Sequence, residues 1–463
     1  MTNQLKIKLL LFWLISSISF SYLFLPESSG IGITIFYVVH FAYLWFVCPN
    51  RKRLFIYIPV FVFALNSFFS ANTIWRIPNL FVSVLLFSGM WTDFSIKEDN
   101  LRFIPQTLLR LADSIEHFSI PFKWILELNS GKTSVIKKVA VAVLFAIPCA
   151  FILILVLSNA DMVFSLKTVN LIDSVISFFS ISTVFRIILG VVFGLFLFSI
   201  LFSAHARTEM KTKTINSKKG DLIIINILLS TALLIYTLFV IIQFKYLFAG
   251  ASLPAGLNYT QYARKGFFEL LSLTGVNVLA ILLVIRLTKT YDKKRVNLTK
   301  ILCYYLLIVT VVLLVSSFYR MTLYTGDDGL TRLRFFVLGF LIFELVGLIL
   351  TFIYIAKPNF NIVLCYFIIA FAYYLVLNLV PTDKIVAKNQ VEKYLTGSRR
   401  DVEYVFELSC DAVDEIKYLI ENCDNDAIKH MGKQFIAKNI PYDTFDSWQS
   451  FNLSTYRAKK SLK

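Results

Sequence analysis

The feature that most constrains this chain is the recurrence of apolar runs about twenty residues long. An α-helix of that length crosses the roughly 30 Å hydrocarbon core of a bilayer and satisfies its own backbone polar groups there. Eleven such runs can be read, at 8–25, 30–48, 54–70, 77–92, 138–158, 184–204, 222–248, 266–287, 301–323, 330–356 and 360–380. The run at 77–92 is short, and a re-entrant segment is its alternative to a full crossing. The run after Lys8 lacks a small-residue cleavage site and reads as the first span. With 57% hydrophobic residues, 45 Phe and 22 Tyr, the expected fold is all-α. It is a polytopic membrane bundle of about eleven transmembrane helices with a small helical C-terminal tail.

The net charge of +17 invites a nucleic-acid partner. The cations, however, lie between apolar runs instead of on one face of a folded domain, so no nucleic acid is expected. With the N-terminus in the cytoplasm, inside segments hold 24 Lys+Arg and outside loops hold 9. That is a positive-inside bias, and the expected partner is the lipid bilayer of a bacterial cytoplasmic (inner) membrane. An odd number of spans places the tail outside. Within the inside loop 93–137, Leu101, Ile104, Leu108, Leu111, Ile115 and Phe118 recur at helical spacing, as in an amphipathic helix on the membrane or on the bundle. The outside stretch 159–185 reads as interfacial or re-entrant.

The composition changes at Pro381. The last 83 residues carry 13 Lys+Arg and 13 Asp+Glu, so the expected division is a transmembrane domain over 1–380 and a soluble or membrane-docked helical tail over 381–463. Helices are expected at 383–395, stopped by Gly397, and at 409–422, capped by Ser409.

Catalytic, metal and cofactor motifs are not found, and an enzyme is not indicated. The six cysteines and four histidines lack metal-ligand spacing. Ser130-Gly131-Lys132-Thr133 resembles the end of a phosphate loop, but the position five residues before Gly131 is Leu126. The candidate ligand residues lie on the outside. Tyr259, Tyr262, Arg264 and Glu269 lead into one span, and Arg320, Arg332 and Arg334 flank the turn at Thr325–Asp328. One reading is an anion or headgroup site of convergent guanidiniums. The other is a set of interfacial anchors, with Lys265 and Glu269 paired along a helix. Glu344 sits in mid-span, where a carboxyl is either functional or a hydrogen-bonded structural group; Asn277 is a candidate donor where the two spans pack together.

Tyr259 to Leu271, Arg320 to Tyr324, and Gly329, Leu330, Thr331 and Arg334 carry a resemblance. It extends to Asn389, Tyr394, Asp401, Tyr404, Leu408, Ser409, Asp411 and Ala412. In these stretches the chain resembles a family of bacterial multi-pass membrane proteins catalogued only as a domain of unknown function. That family often has Tyr before its turn Gly, where this chain has Asp328. The resemblance implies an inner-membrane protein and supplies no activity.

Two functional readings stay open. One is a transporter or permease-like protein for a small anionic or lipid-like ligand entering at the arginines. The other is a non-transporting partner of another membrane protein in envelope sensing or signalling.

Overall fold

The computed structural model describes residues 2–25, 30–48, 51–91, 103–127, 181–206, 220–243, 267–288, 291, 293–359, 361–398, 401–440 and 447–462. The expected span at 138–158, the Ser130–Thr133 motif and most of 159–185 lie outside them. Among the described residues all regular structure is helical. In the first half are α1 (Asn3–Ser19, extended by a π turn to Phe24), α2 (Ile31–Val47), α3 (Val60–Phe69), α4 (Arg76–Gly89), α5 (Phe103–Asp113), α6 (Ile120–Glu127) and α7 (Ile181–His205). Then come α8 (Leu222–Gln243), α9 (Phe267–Thr288), α10 (Lys293–Asp328), α11 (Arg332–Ala356) and α12 (Ile362–Leu379). The tail holds α13 (Thr382–Leu395), α14 (Val413–Asn422), α15 (Asp426–Asn439) and α16 (Leu453–Ser461).

Seven of these helices are long and apolar enough to cross a bilayer, and α2, α3 and α4 are shorter apolar helices at the positions of expected runs. The shortening has a local cause. The run at 54–70 begins as a 3-10 turn over Arg51–Ile56, and Pro59, which lacks an N–H, stands before the first α-helical residue of α3. Proteins of this architecture are membrane proteins.

The helices form two apolar clusters. The first gathers Leu9, Phe12, Phe36, Phe63, Phe87 and Phe198 from α1, α2, α3, α4 and α7. Its closest contact is α1 on α7, which Gly190 and Gly194 permit. A Cβ at Gly194 would stand 2.2 Å from Ser17 Oγ, and one at Gly190 would stand 1.9 Å from Ser21 Oγ. A Gly-x-x-x-Gly face brings helix backbones together in lipid, where packing rather than the hydrophobic effect joins helices. The second cluster gathers residues of α8 to α11 with Ile362 of α12. The other end of α12 packs Phe371, Tyr374 and Leu375 against the first cluster, so α12 joins the two.

Helix ends fall in two layers, as alternating threading requires. In one layer Arg53 Nη1 donates to Met90 O (3.4 Å), Ser88 Oγ to Thr107 O (3.1 Å) and Ser203 Oγ to Asp113 Oδ2 (3.2 Å). Tyr291 there donates to Gly220 O at 2.9 Å. Arg51, Lys52, Arg53 and Arg286 belong to these ends. On α5 and the turn after it the expected apolar stripe is divided: Leu108 and Ile115 are exposed, while Leu111 packs against the first cluster beside buried Thr107 and Ser114. The helix therefore packs on the bundle by one side and offers Leu108 outward.

The opposite layer carries the tail, which has its own core of Val386, Val391, Val405, Val413, Ile416 and Leu419. The expected helices at 383–395 and 409–422 are α13 and the pair formed by a 3-10 turn at Cys410–Ala412 with α14. Ser409 caps that turn by accepting from Asp411 N, and Gly397 stops α13 with φ 72°.

Candidate functional site

Of the residues expected to line an outer mouth, Arg332 meets the tail, and so does the turn that it flanks. The α10–α11 turn runs from Thr325 to Thr331, with Thr325 to Asp328 completing α10 instead of forming a loop of their own. From α13, Lys393 Nζ donates to Thr325 O and Gly326 O (both 2.5 Å). Gln390 donates to Leu330 O (2.6 Å), and Asn389 Oδ1 accepts from Leu330 N (2.9 Å). Every polar backbone group of a turn between two spans needs a partner, and here the tail supplies several.

Arg332 makes the strongest of these contacts. Its Nε and Nη2 donate to Asp383 Oδ1 and Oδ2 at 2.6 and 2.7 Å, the two-pronged geometry that matches a guanidinium to a carboxylate. Asp383 is fully buried and also accepts from Ser409 N at 3.0 Å. Burial pushes its carboxyl up, but the bonds from Arg332 and Ser409 more than reverse this and hold it below the ordinary aspartate range. Arg334 lies over the Tyr324 ring, 3.7 Å from its centroid, and donates to Gly329 O. Arg320 is buried in α10. Glu269 is exposed in the first turn of α9, where the helix dipole favours an acid. Tyr259, Tyr262 and Arg264 lie outside the described residues.

A second latch ties the tail to the first cluster. Asp411 accepts from Ser70 Oγ (2.5 Å) and Ala71 N (2.9 Å) at the end of α3, and Ile31 N donates to Phe451 O at 2.7 Å. A pocket of about 250 Å³ opens beside it, lined by Ser70, Lys384, Asp411, Asp414 and Arg457. Beneath it lies a polar layer in otherwise apolar helices. Asn66 donates to Asn378 O (2.6 Å), Asn79 to Asn378 Oδ1 (2.8 Å) and Tyr374 to Asn79 Oδ1 (2.6 Å). This layer was not among the expected sites, although Asn66, Asn79 and Asn378, each inside an apolar run, mark it.

Glu344 lies in α11, 7% exposed. Thr274 Oγ1 of α9 donates to its Oε1, while Oε2 is buried with no hydrogen-bond partner among the described residues. The candidate donor, Asn277, is engaged elsewhere: it accepts from Tyr236 at 2.8 Å and donates to Thr310 at 3.1 Å. The two residues stand three apart, about 60° around the helix, so one faces α11 and the other faces α8 and α10. Among the described residues no three His, Cys, Asp or Glu side chains gather as a metal site would require.

Several of the residues on which the family resemblance rests therefore meet at the seam between tail and bundle: Leu330, Asn389, Tyr404, Ser409 and Asp411. No curated protein and no solved structure matches the chain. Residues 57–419 match the family described as Domain of unknown function (DUF4153), and the chain belongs to that family.

Proposed function

We propose that this chain is a non-transporting membrane partner in envelope sensing or signalling. Its place would be the cytoplasmic membrane of a bacterium, with the N-terminus inside and the tail outside. The charge bias of the loops supports that orientation. In this reading residues 1–380 form the membrane domain and 381–463 a clamp upon it. The observation that carries it is the double latch. Arg332–Asp383 fastens the tail to the second cluster and Asp411–Ser70 fastens it to the first. A shift of one cluster against the other must strain or break a latch, so the exposed tail reports on the state of the bundle.

A second reading, a carrier for a small anionic or lipid-like ligand, is favoured by Glu344, whose buried Oε2 lacks a partner among the described residues. One experiment separates the two. A deletion strain is complemented with Asp411→Asn or Glu344→Gln, and abundance in the membrane is measured alongside the deletion phenotype. Under the signalling reading Glu344→Gln complements and Asp411→Asn fails at normal abundance. The opposite pattern would select the carrier and discard the clamp.

A further inference from the structure

A groove of about 780 Å³ runs between α1 and α7 on the tail side of the bundle. Its apolar walls are Leu14, Ile18, Ile187 and Val191; the first three are exposed, on a surface that faces hydrocarbon in a membrane. Its outer end is polar: Thr183 and Arg186 from α7 meet Ser447 and Gln449 from the tail. Leu14 at one end and Tyr22 at the other are eight residue steps apart along α1 and its π turn, about 12 Å along the axis. Polar end and apolar shaft together have the profile of a membrane lipid.

Two observations specify the occupant. Gln449 is only 8% exposed, and its Oε1 is buried without a hydrogen-bond partner among the described residues. An acceptor left so at the head of a groove calls for a donor on the ligand. Arg186 brings a guanidinium to the same polar end, where a phosphate gains a charge-assisted contact.

We propose that this groove binds one anionic phospholipid whose headgroup carries a hydrogen-bond donor. The phosphate meets Arg186, a headgroup hydroxyl donates to Gln449 Oε1, and an acyl chain follows Ile18 and Ile187 inward. Phosphatidylglycerol has all three features. Phosphatidylethanolamine has the donor without net charge, and phosphatidylcholine has neither. The proposal goes beyond the sensing reading and holds equally if the tail carries no signal. It makes the tail a part of the lipid site, since Ser447 and Gln449 belong to it.

The test uses the purified full-length protein equilibrated with equimolar phosphatidylglycerol, phosphatidylethanolamine and phosphatidylcholine of identical acyl chains. Retained lipid is counted by native mass spectrometry. Phosphatidylglycerol should be retained at least about tenfold over phosphatidylcholine, as one charge-assisted contact implies, with phosphatidylethanolamine between them. Arg186→Ala should abolish the preference for net charge. Gln449→Leu, which keeps a side chain of similar size, should abolish the advantage of phosphatidylethanolamine over phosphatidylcholine. Equal retention of all three lipids, retention led by phosphatidylethanolamine, or an unchanged profile in Arg186→Ala would overturn the proposal. So would a photoprobe on Ile18→Cys that crosslinks to a peptide from 128–180 instead of to lipid, since the groove would then be an intramolecular packing surface.

Discussion

Arg332→Ala removes one partner of a buried ion pair and leaves the other in place. Asp383 has no exposed side-chain surface, whereas the Arg332 side chain retains 21%. Breaking such a pair from one side costs about 3–5 kcal/mol, and the partial exposure of Arg332, which admits water to the gap, places the cost near 3. At 1.4 kcal/mol per factor of ten, that shifts the docking equilibrium of the tail by about a hundredfold. Amides of α13 that exchange through undocking should therefore exchange about a hundred times faster in lipid nanodiscs. The double variant Arg332→Ala/Asp383→Ala, which also removes the stranded carboxylate, should recover part of the loss. Acidification sharpens the test. A carboxyl held below its unfolded value stabilises the docked state above roughly pH 4, and that contribution is lost as pH falls through the docked value. In Arg332→Ala burial and Ser409, through its hydroxyl and its amide, still act on Asp383 but the cation is gone, so lowering the pH should weaken docking in the wild type and narrow its advantage over the variant. Exchange in α13 within about threefold of wild type at neutral pH would refute the reasoning, because a buried carboxylate cannot lose its cation so cheaply.

Three further outcomes are expected. Gly194→Val should lower the thermal midpoint and the yield through overpacking of about 1–3 kcal/mol against Ser17 and Trp13, whereas Gly275→Ala, with nothing within 4 Å, should not. Asn79→Ala strands Asn378 Oδ1 and the Tyr374 hydroxyl, and should cost about 1–3 kcal/mol in a denaturant titration of the detergent-solubilised protein. In a background without the six native cysteines, Glu421→Cys should react with an impermeant thiol reagent on intact cells and Glu116→Cys should not; the reverse labelling would invert the orientation.

The parts of the fold legible in the sequence are those written in local pattern. Apolar length marked the seven helices long enough to cross a bilayer, and Gly397 marked the end of α13. The parts that were not legible depend on which helix neighbours which. Arg332 finds Asp383 across 51 positions, and Ser70 finds Asp411 across 341. Hydropathy is blind to both. It therefore left Arg332 and Arg334 as candidates for an external anion, while an acid, a carbonyl and an aromatic face of the same chain engage them. Gly190 and Gly194 were visible as a Gly-x-x-x-Gly pair but are invisible to a count of apolar residues. Thr274 was passed over for Asn277 because depth along a helix is readable, while rotation about it is set by packing.

The joint between bundle and tail bears on both functional readings. Only Val380 and Pro381 separate α12 from α13, and Pro381 fixes its own φ, so this connection is a stiff corner and not a tether. The last turn of α12 contains Asn378, which is bound to Asn66 and Asn79 of the first cluster. The first turn of α13 contains Asp383, which is bound to Arg332 at the start of α11. Twelve residues further along α11, about 18 Å at 1.5 Å per residue, stands Glu344 against Thr274 of α9. A load on the tail is thus borne by two long helices, one wedged between the clusters and the other carrying the buried carboxyl. A tail swinging freely on a linker could bind a partner and leave the bundle unaffected. A tail fixed at this corner cannot, so whatever seats on it acts on the bundle through α11 and α12.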